Sequence, residues 1–205
     1  MDSRGRMSFT HGRQVRHAVV LMSLYRGDRP DYFREALSSV LDQELPVDIQ
    51  LSVYLAVDGP ISTELEDVLS EFGPRLSAVS RSPVNLGLGE SLNRLISETR
   101  GSDFFFFMDA DDVSLPGRFK SQIDFLDKNP GVDIVGGSIV EFSDASGQAR
   151  RTTFFNGKGD VRKWLCWRVP VAHPSVCFRG RVFDILRGYP TSNGNEDISL
   201  WFACA

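Results

Sequence analysis

The stretch Asp103-Phe-Phe-Phe-Phe-Met-Asp-Ala-Asp-Asp112 decides how the rest of the chain is read. Four phenylalanines and a methionine form an apolar run between polar residues. That is the pattern of a strand buried on both faces of a parallel sheet. The run then breaks into Asp109, Asp111 and Asp112. Unpaired carboxylates are costly to desolvate, so such a cluster at the end of a buried strand implies a positive partner. Open α/β sheets bind ligands beyond the carboxyl ends of their strands, and a divalent cation held against a phosphate would supply the charge. Asp109 and Asp111 project to the same side of an extended backbone. Their hard oxygens suit Mn2+ or Mg2+. The competing reading makes the aspartates caps for a helix starting near Leu115. Asp112 fits that role, but a cap needs only one carboxylate.

Working outward, strand-like and helix-like segments alternate. Strands are expected over His17–Leu24, Ile49–Val57, Leu76–Ser80, Val132–Val140 and Ser175–Phe178. Helices are expected over Pro30–Glu44, Ser62–Phe72, Leu88–Thr99, Leu115–Asn129 and Arg181–Arg187. Leu88, Leu92, Leu95 and Ile96 share one helical face, as do Leu115, Phe119, Ile123 and Leu126. Four β-then-α units before residue 130 argue for an α/β fold: a Rossmann-like, mainly parallel sheet with helices on both faces. Parallel strands end on one edge. Ser23, Tyr25, Asp58, Arg81 and Asp109 to Asp112 are therefore expected in successive loops along that edge.

The 205 residues suffice for one core. The expected organisation is a flexible tail over residues 1–16 and a single domain over 17–205. A net charge of −4 argues against general affinity for nucleic acid or anionic lipid. Three cysteines without CxxC spacing argue against a disulfide framework or zinc site and fit a reducing compartment. No apolar stretch approaches the ~20 residues of a membrane span, and the polar opening segment is no secretory signal.

Other motifs leave two readings open. Asp58-Gly59-Pro60 is either a turn or a carboxylate that accepts hydrogen bonds from a ligand. Asn85-Leu-Gly-Leu-Gly89 opens a helix, and Asn85 and Gly87 either approach a ligand or form a simple loop. Glu196-Asp197 is a first-turn charge or a general base. His173 is a structural histidine or a proton carrier. Trp164, Trp167 and Trp201 read as core or rim aromatics.

Taken in order, VVLMSLYRGDRPDYFREALSSVL, LAVDGP, NLGLGESLN, FFFFMDADDVSLPGRFKSQIDFL, AHPSVCFR and NEDISLW resemble the family 2 glycosyltransferases with a GT-A fold. The likeness is to bacterial enzymes that assemble exopolysaccharide, capsule or O-antigen units. It covers roughly residues 17–202. The resemblance implies a cytoplasmic, metal-dependent, inverting enzyme. Such an enzyme moves a sugar from a nucleotide-diphosphate donor, UDP-linked by preference, to a sugar or lipid-linked sugar acceptor. Carried over by position, Ser23, Tyr25 and Asp58 would contact the nucleoside, with Arg81, Asn85 and Gly87 beside them. Asp109 would touch the ribose or donor sugar, Asp111 would bind the cation, and Asp197 would be the catalytic base.

Two departures qualify the resemblance. Many relatives carry two acidic residues where this chain has Val57-Asp58. Relatives also continue beyond the equivalent of Ala205, through helices that build the acceptor side and in some cases a peripheral membrane contact. The domain is therefore expected to be C-terminally short, which makes a sugar-nucleotide-binding domain without efficient turnover the alternative. A nucleotidyltransferase would need a Gly-rich basic loop where Tyr25-Arg-Gly-Asp28 stands.

Overall fold

A computed structural model describes residues 14–143, 148–153, 165, 169, 171–190 and 195–205. Most of the expected N-terminal tail lies outside these residues, as do Trp164, Trp167 and Cys166. The described order is β1 (Arg16–Tyr25), α1 (Pro30–Leu41), β2 (Ile49–Asp58), α2 (Thr63–Phe72), β3 (Ala78–Ser82), α3 (Leu88–Glu98), β4 (Phe104–Met108), α4 (Arg118–Lys128), β5 (Ile134–Val135), β6 (Ile139–Phe142), β7 (Ala149–Thr153), β8 (Cys177–Arg179), α5 (Arg181–Leu186) and α6 (Glu196–Cys204). Single 3-10 turns occupy Gly73–Arg75 and His173–Ser175.

A six-stranded sheet runs in the order β3-β2-β1-β4-β8-β5, and β6 and β7 form a separate antiparallel ribbon. The first four strands of the sheet are parallel, and β8 is antiparallel to both β4 and β5. The expected mainly parallel sheet is therefore present, with an antiparallel strand inserted beside the phenylalanine run.

Strand alternation sorts that run onto both faces. Phe104, Phe106 and Met108 join Ala18, Val20 and Met22 of β1 against α1, α2 and α4. Phe105 and Phe107 join Val19 and Leu21 against Leu92, Leu95 and Ile96 of α3 and against α5 and α6. Every residue of β4 is buried. Phe106 stacks on Phe119 of α4 with ring centroids 4.1 Å apart, and Phe107 meets Phe178 of β8 edge-on at 5.5 Å. Burial of a phenylalanine stabilises by roughly 1.5–3 kcal/mol, so β4 is the mechanical centre of both cores.

Helix boundaries follow local chemistry. Pro30 begins α1, where its missing N–H costs nothing. The Ser62 hydroxyl accepts the Leu65 N–H at the start of α2.

Three local expectations are corrected. The helix expected from Leu115 starts at Arg118, because Pro116-Gly117 precedes it and Gly117 holds a left-handed conformation at φ 76°. Leu115 is consequently 64% exposed and not inward. Leu88 stands at the first position of α3 and is also exposed, unlike Leu92, Leu95 and Ile96. The single strand expected over Val132–Val140 is split into β5 and β6 around Gly136-Gly137. A Cβ at Gly136 would lie 2.4 Å from Cγ1 of Val171, so the chain turns where another segment crosses it closely.

Candidate functional site

Register brings the strand ends to one edge. Tyr25 pairs with Asp58, Asp58 with Ser82, Val57 with Arg81, and Met22 with Met108. The first residue after β4 is Asp109. Ligand oxygens of Asp109, Asp111 and Asp112 all lie within 4.8 Å of one another. Asp109 is half-buried, while Asp111 and Asp112 reach solvent.

The loop that carries them is held from beneath. The Gln43 amide donates to the carbonyls of Ser114 and Leu115, each at 3.1 Å, and its oxygen accepts the Phe119 N–H. The Ser39 hydroxyl accepts the Ser114 N–H at 3.0 Å. Asp112 caps no helix: the residue at the head of α4 is Gly117, without a side-chain cap.

Burial and mutual repulsion disfavour negative charge on this cluster. Burial first, and then the charges of Asp112, Asp111, Asp28 and Asp197, push the Asp109 carboxyl up to about 7. Asp28 is raised to about 6 by burial, with Asp111 adding to the effect and the Tyr25 N–H opposing it. Asp112 is also raised, by desolvation and then Asp111, against the opposing charge of Arg118.

Arg118 does not neutralise the group. Its guanidinium donates to Gln122 and to the carbonyls of Phe107 and Val176, and burial lowers it to about 10. Among the described residues none of the three clustered carboxylates is in an ion pair within 4.0 Å. Three hard oxygen donors crowded against further carboxylates fit a divalent ion of the Mg2+ or Mn2+ type.

The remaining candidates surround this cluster. Tyr25 is half-exposed at the end of β1, and its ring folds over Gly27, where a Cβ would come 2.4 Å from the phenol oxygen. Ser23 is half-buried two residues earlier on β1. Asp58 is 3% exposed, and both of its oxygens are used. They accept the backbone N–H groups of Leu86 at 2.7 Å and Gly87 at 2.9 Å, while the Asn85 amide donates to the Asp58 carbonyl. Asp58 therefore shapes the loop that carries Asn85 and Gly87. Gly59 must be glycine for the same reason: its φ is 87°, and a Cβ would press to 2.9 Å from the Asn85 nitrogen. Arg81 lies at the edge, but its guanidinium forms a two-pronged pair with Glu66 of α2 at 2.7 Å. Asp197 sits in the first turn of α6, half-buried, with one oxygen accepting the Ile198 N–H, and its charge reaches Asp109.

Sequence reasoning missed Asp28, whose carboxylate accepts the Tyr25 N–H at 2.8 Å and fixes the loop after β1. The Gly27-Asp28 turn pair was its only signal. His173 is buried, its Nε2 2.5 Å from the Tyr189 hydroxyl, and burial lowers it to about 4. It is the structural histidine of the two readings. Trp201 is core, stacked on Phe178.

The opposite edge of the sheet also has a cleft, of about 320 Å3, lined by Arg16, Asp103, Arg179 and Arg181 among others. There Arg16 and Arg181 are ion-paired, and Arg179 donates to backbone carbonyls. Arg16 holds Asp48 and Asp127, Arg181 holds Asp133, and Asp103 accepts the His17 N–H.

Comparison with known proteins identifies the family and the fold. Residues 19–189 match the family described as Glycosyl transferase family 2. The amylovoran biosynthesis glycosyltransferase AmsE of Erwinia amylovora is 32% identical over 184 residues, which is 89% of this chain and 67% of that one. The UDP-Gal:alpha-D-GlcNAc-diphosphoundecaprenol beta-1,3-galactosyltransferase of Escherichia coli is 28% identical over 89% of this chain and 65% of its own. Among solved structures, the mannosyltransferase PcManGT of Pyrobaculum calidifontis, in complex with GDP-Man and Mn2+, superposes with a TM-score of 0.64 at 16% identity. That match covers 91% of this chain and 51% of PcManGT, and the likeness is one of fold, the GT-A type. The chain thus spans about two thirds of the length of these curated relatives and about half of the solved one. Among the described residues no helix is long and apolar enough to cross a membrane.

Proposed function

The chain belongs to glycosyl transferase family 2, and we propose that it transfers a sugar, with inversion, from a nucleotide-diphosphate donor to a hydroxyl acceptor in the assembly of a surface polysaccharide. The observation that carries the reading is the carboxylate cluster closing β4, crowded to within 4.8 Å and without a basic partner among the described residues.

Asp111 would hold a divalent cation, with Asp109 and Asp112 beside it. When bound, Mn2+ or Mg2+ supplies positive charge to the diphosphate as it departs. The protein's own residues do the rest. Tyr25 and Ser23, at the end of β1, face the nucleoside. Asp58 acts through the loop it holds, presenting Asn85 and the Gly87 backbone to the donor. Arg81, already shared with Glu66, is the weakest of the proposed donor contacts. Asp197 takes the proton of the acceptor hydroxyl as that oxygen attacks opposite the leaving group. Its position at the head of α6, within electrostatic reach of Asp109, supports this role.

The Escherichia coli relative, whose name gives both, supports a UDP-linked donor and a lipid-linked sugar acceptor. A lipid-linked acceptor would bring the protein to the inner face of the membrane as a peripheral, cytoplasmic enzyme. The test is a thermal-shift screen of UDP-, GDP- and dTDP-sugars with and without Mn2+. A selective, Mn2+-dependent rise in melting temperature is expected for one nucleotide class. No shift with any donor would overturn the proposal.

A further inference from the structure

Helix α3 touches both halves of the proposed site, at positions one turn apart. Its N-terminal entry is the Leu86-Gly87 loop, held by both oxygens of Asp58. At Gly89 a Cβ would lie 2.7 Å from Cγ of Glu196, so the first residue of α6 packs directly on the helix. Four residues on, and thus on the same face, Asn93 clamps Tyr189 at two points. Its oxygen accepts the Tyr189 N–H at 2.6 Å, and its amide donates to the Tyr189 carbonyl at 3.1 Å. The preceding Gly188, at φ 143°, has no room for a side chain, because a Cβ would stand 2.3 Å from the same Asn93 oxygen.

Tyr189 is itself fixed deep in the core. Its ring meets Phe107 of β4 edge-on at 5.7 Å, and its hydroxyl contacts His173. One side chain on α3 therefore fixes Tyr189, which shares a core with Leu200 and Trp201 of α6 and with Phe107 of the strand that carries the acidic cluster.

We propose that α3 is a strut coupling the donor-side loop to the base-bearing helix α6, and that Asn93 is the positioning residue that makes the connection. This rests on the reading that residues 85–87 face the donor and that Asp197 is the base. A two-point amide clamp transmits displacement better than a single contact, because neither partner can pivot. Substitution of Gly89 acts at the other contact: alanine suits a helix interior but obliges Glu196 to turn away.

Hydrogen exchange of the full chain, alone and with UDP, GDP or dTDP plus Mn2+, tests this. In the wild type, the bound nucleotide is expected to slow exchange at residues 85–93. It should also slow exchange at Tyr189 and residues 195–204, by about fivefold or more, the lower range of ordinary site-to-site coupling. Asn93→Ala should keep the first protection and lose the second. Asn93→Asp, which retains the acceptor for the Tyr189 N–H, should recover part of it. Gly89→Ala, with its helix intact, should weaken it.

Absence of protection at residues 85–93 in the wild type with all three nucleotides would overturn the functional reading itself. Protection there without any at 195–204 would overturn the coupling alone. So would an Asn93→Ala variant that keeps both protections, or one that loses both.

Discussion

At one edge of the six-stranded sheet Arg16 and Arg181 meet carboxylates; at the other, beside the Arg81–Glu66 pair, a cluster of carboxylates meets carboxylates. Arg16 at the start of β1 is forked by Asp127 and Asp48, and those contacts, Asp127 foremost, raise its guanidinium further above its already basic range. Asp109, just past the end of β4, is pushed the other way, toward its neutral form, by burial and by four neighbouring carboxylates. Pairing at the first edge is what a fold does to close itself. Crowding at the second lowers stability, and a protein retains such an arrangement where a ligand relieves it. On the proposed reading, the contrast separates structural from functional charge within one sheet.

The strongest way to break the comparison is Asp197→Asn. Nucleotide release or transfer should fall by roughly 10²–10⁴-fold, the ordinary contribution of a general base, while donor binding is retained. Unchanged turnover would remove Asp197 from the reaction.

Asp111→Ala comes next. Calorimetry should show that Mn2+ no longer strengthens binding of the nucleotide; equal enhancement in variant and wild type would count against the cation site. Asp58→Asn leaves one of the Leu86 and Gly87 N–H groups without its acceptor. A loss of about 1–3 kcal/mol of stability is expected, with weaker donor affinity, read by denaturant titration and by calorimetry.

Acidity sharpens the same contrast. Because Asp109 is raised to about 7 and Asp28 to about 6, these two sites hold more protons in the folded protein than in the unfolded chain, whose aspartates titrate near ~3.9. The contribution of these groups to stability therefore falls as pH rises from about 4 to about 7. Without a divalent ion they oppose the stability gained with rising pH as His173, lowered to about 4, goes neutral, so the comparison is read as the difference in pH dependence of melting between wild type and Asp111→Asn. The substitution removes a carboxylate that raises both groups and should weaken that opposition. Mn2+ uptake should release protons near pH ~6 and cease to do so near pH ~8.5, as Asp109 is already ionised there. Calorimetry in buffers of different ionisation enthalpy reads this directly; equal proton release at both pH values would contradict it.

The smallest effect belongs to the paired edge. Asp127→Ala should cost under about 1 kcal/mol, as exposed ion pairs do, and leave donor binding unchanged. A change in donor affinity there would erase the distinction between the two edges.

The sequence made the parallel β-α units and the acidic end of β4 legible, because an unbroken apolar run and helical periodicity are local signals. It misplaced what depends on close approach between distant segments. Leu115 matched the helical stripe, yet the left-handed Gly117 delays the helix past it. Gly136-Gly137 interrupts the expected strand because Val171 passes over it. Asp58 was readable as a carboxylate at a strand end, but its hold on two amides 28 and 29 residues later was not. Nor was the clamp of Asn93 on a peptide 96 positions away. Side-chain hydrogen bonds to backbone leave no periodic trace.

One feature of the sheet also bears on how the molecule is made. The strand that flanks β4 on its outer side, β8, comes from Cys177–Arg179, long after the phenylalanine run itself. During synthesis, the most apolar segment of the chain emerges with one row of peptide groups unsatisfied and waits for some seventy further residues, on the order of several seconds at ordinary rates of translation. A bare strand edge of that kind invites pairing with other chains. Nascent chains stopped at Val171 should therefore recruit chaperones or precipitate, and those extended past Arg179 should not.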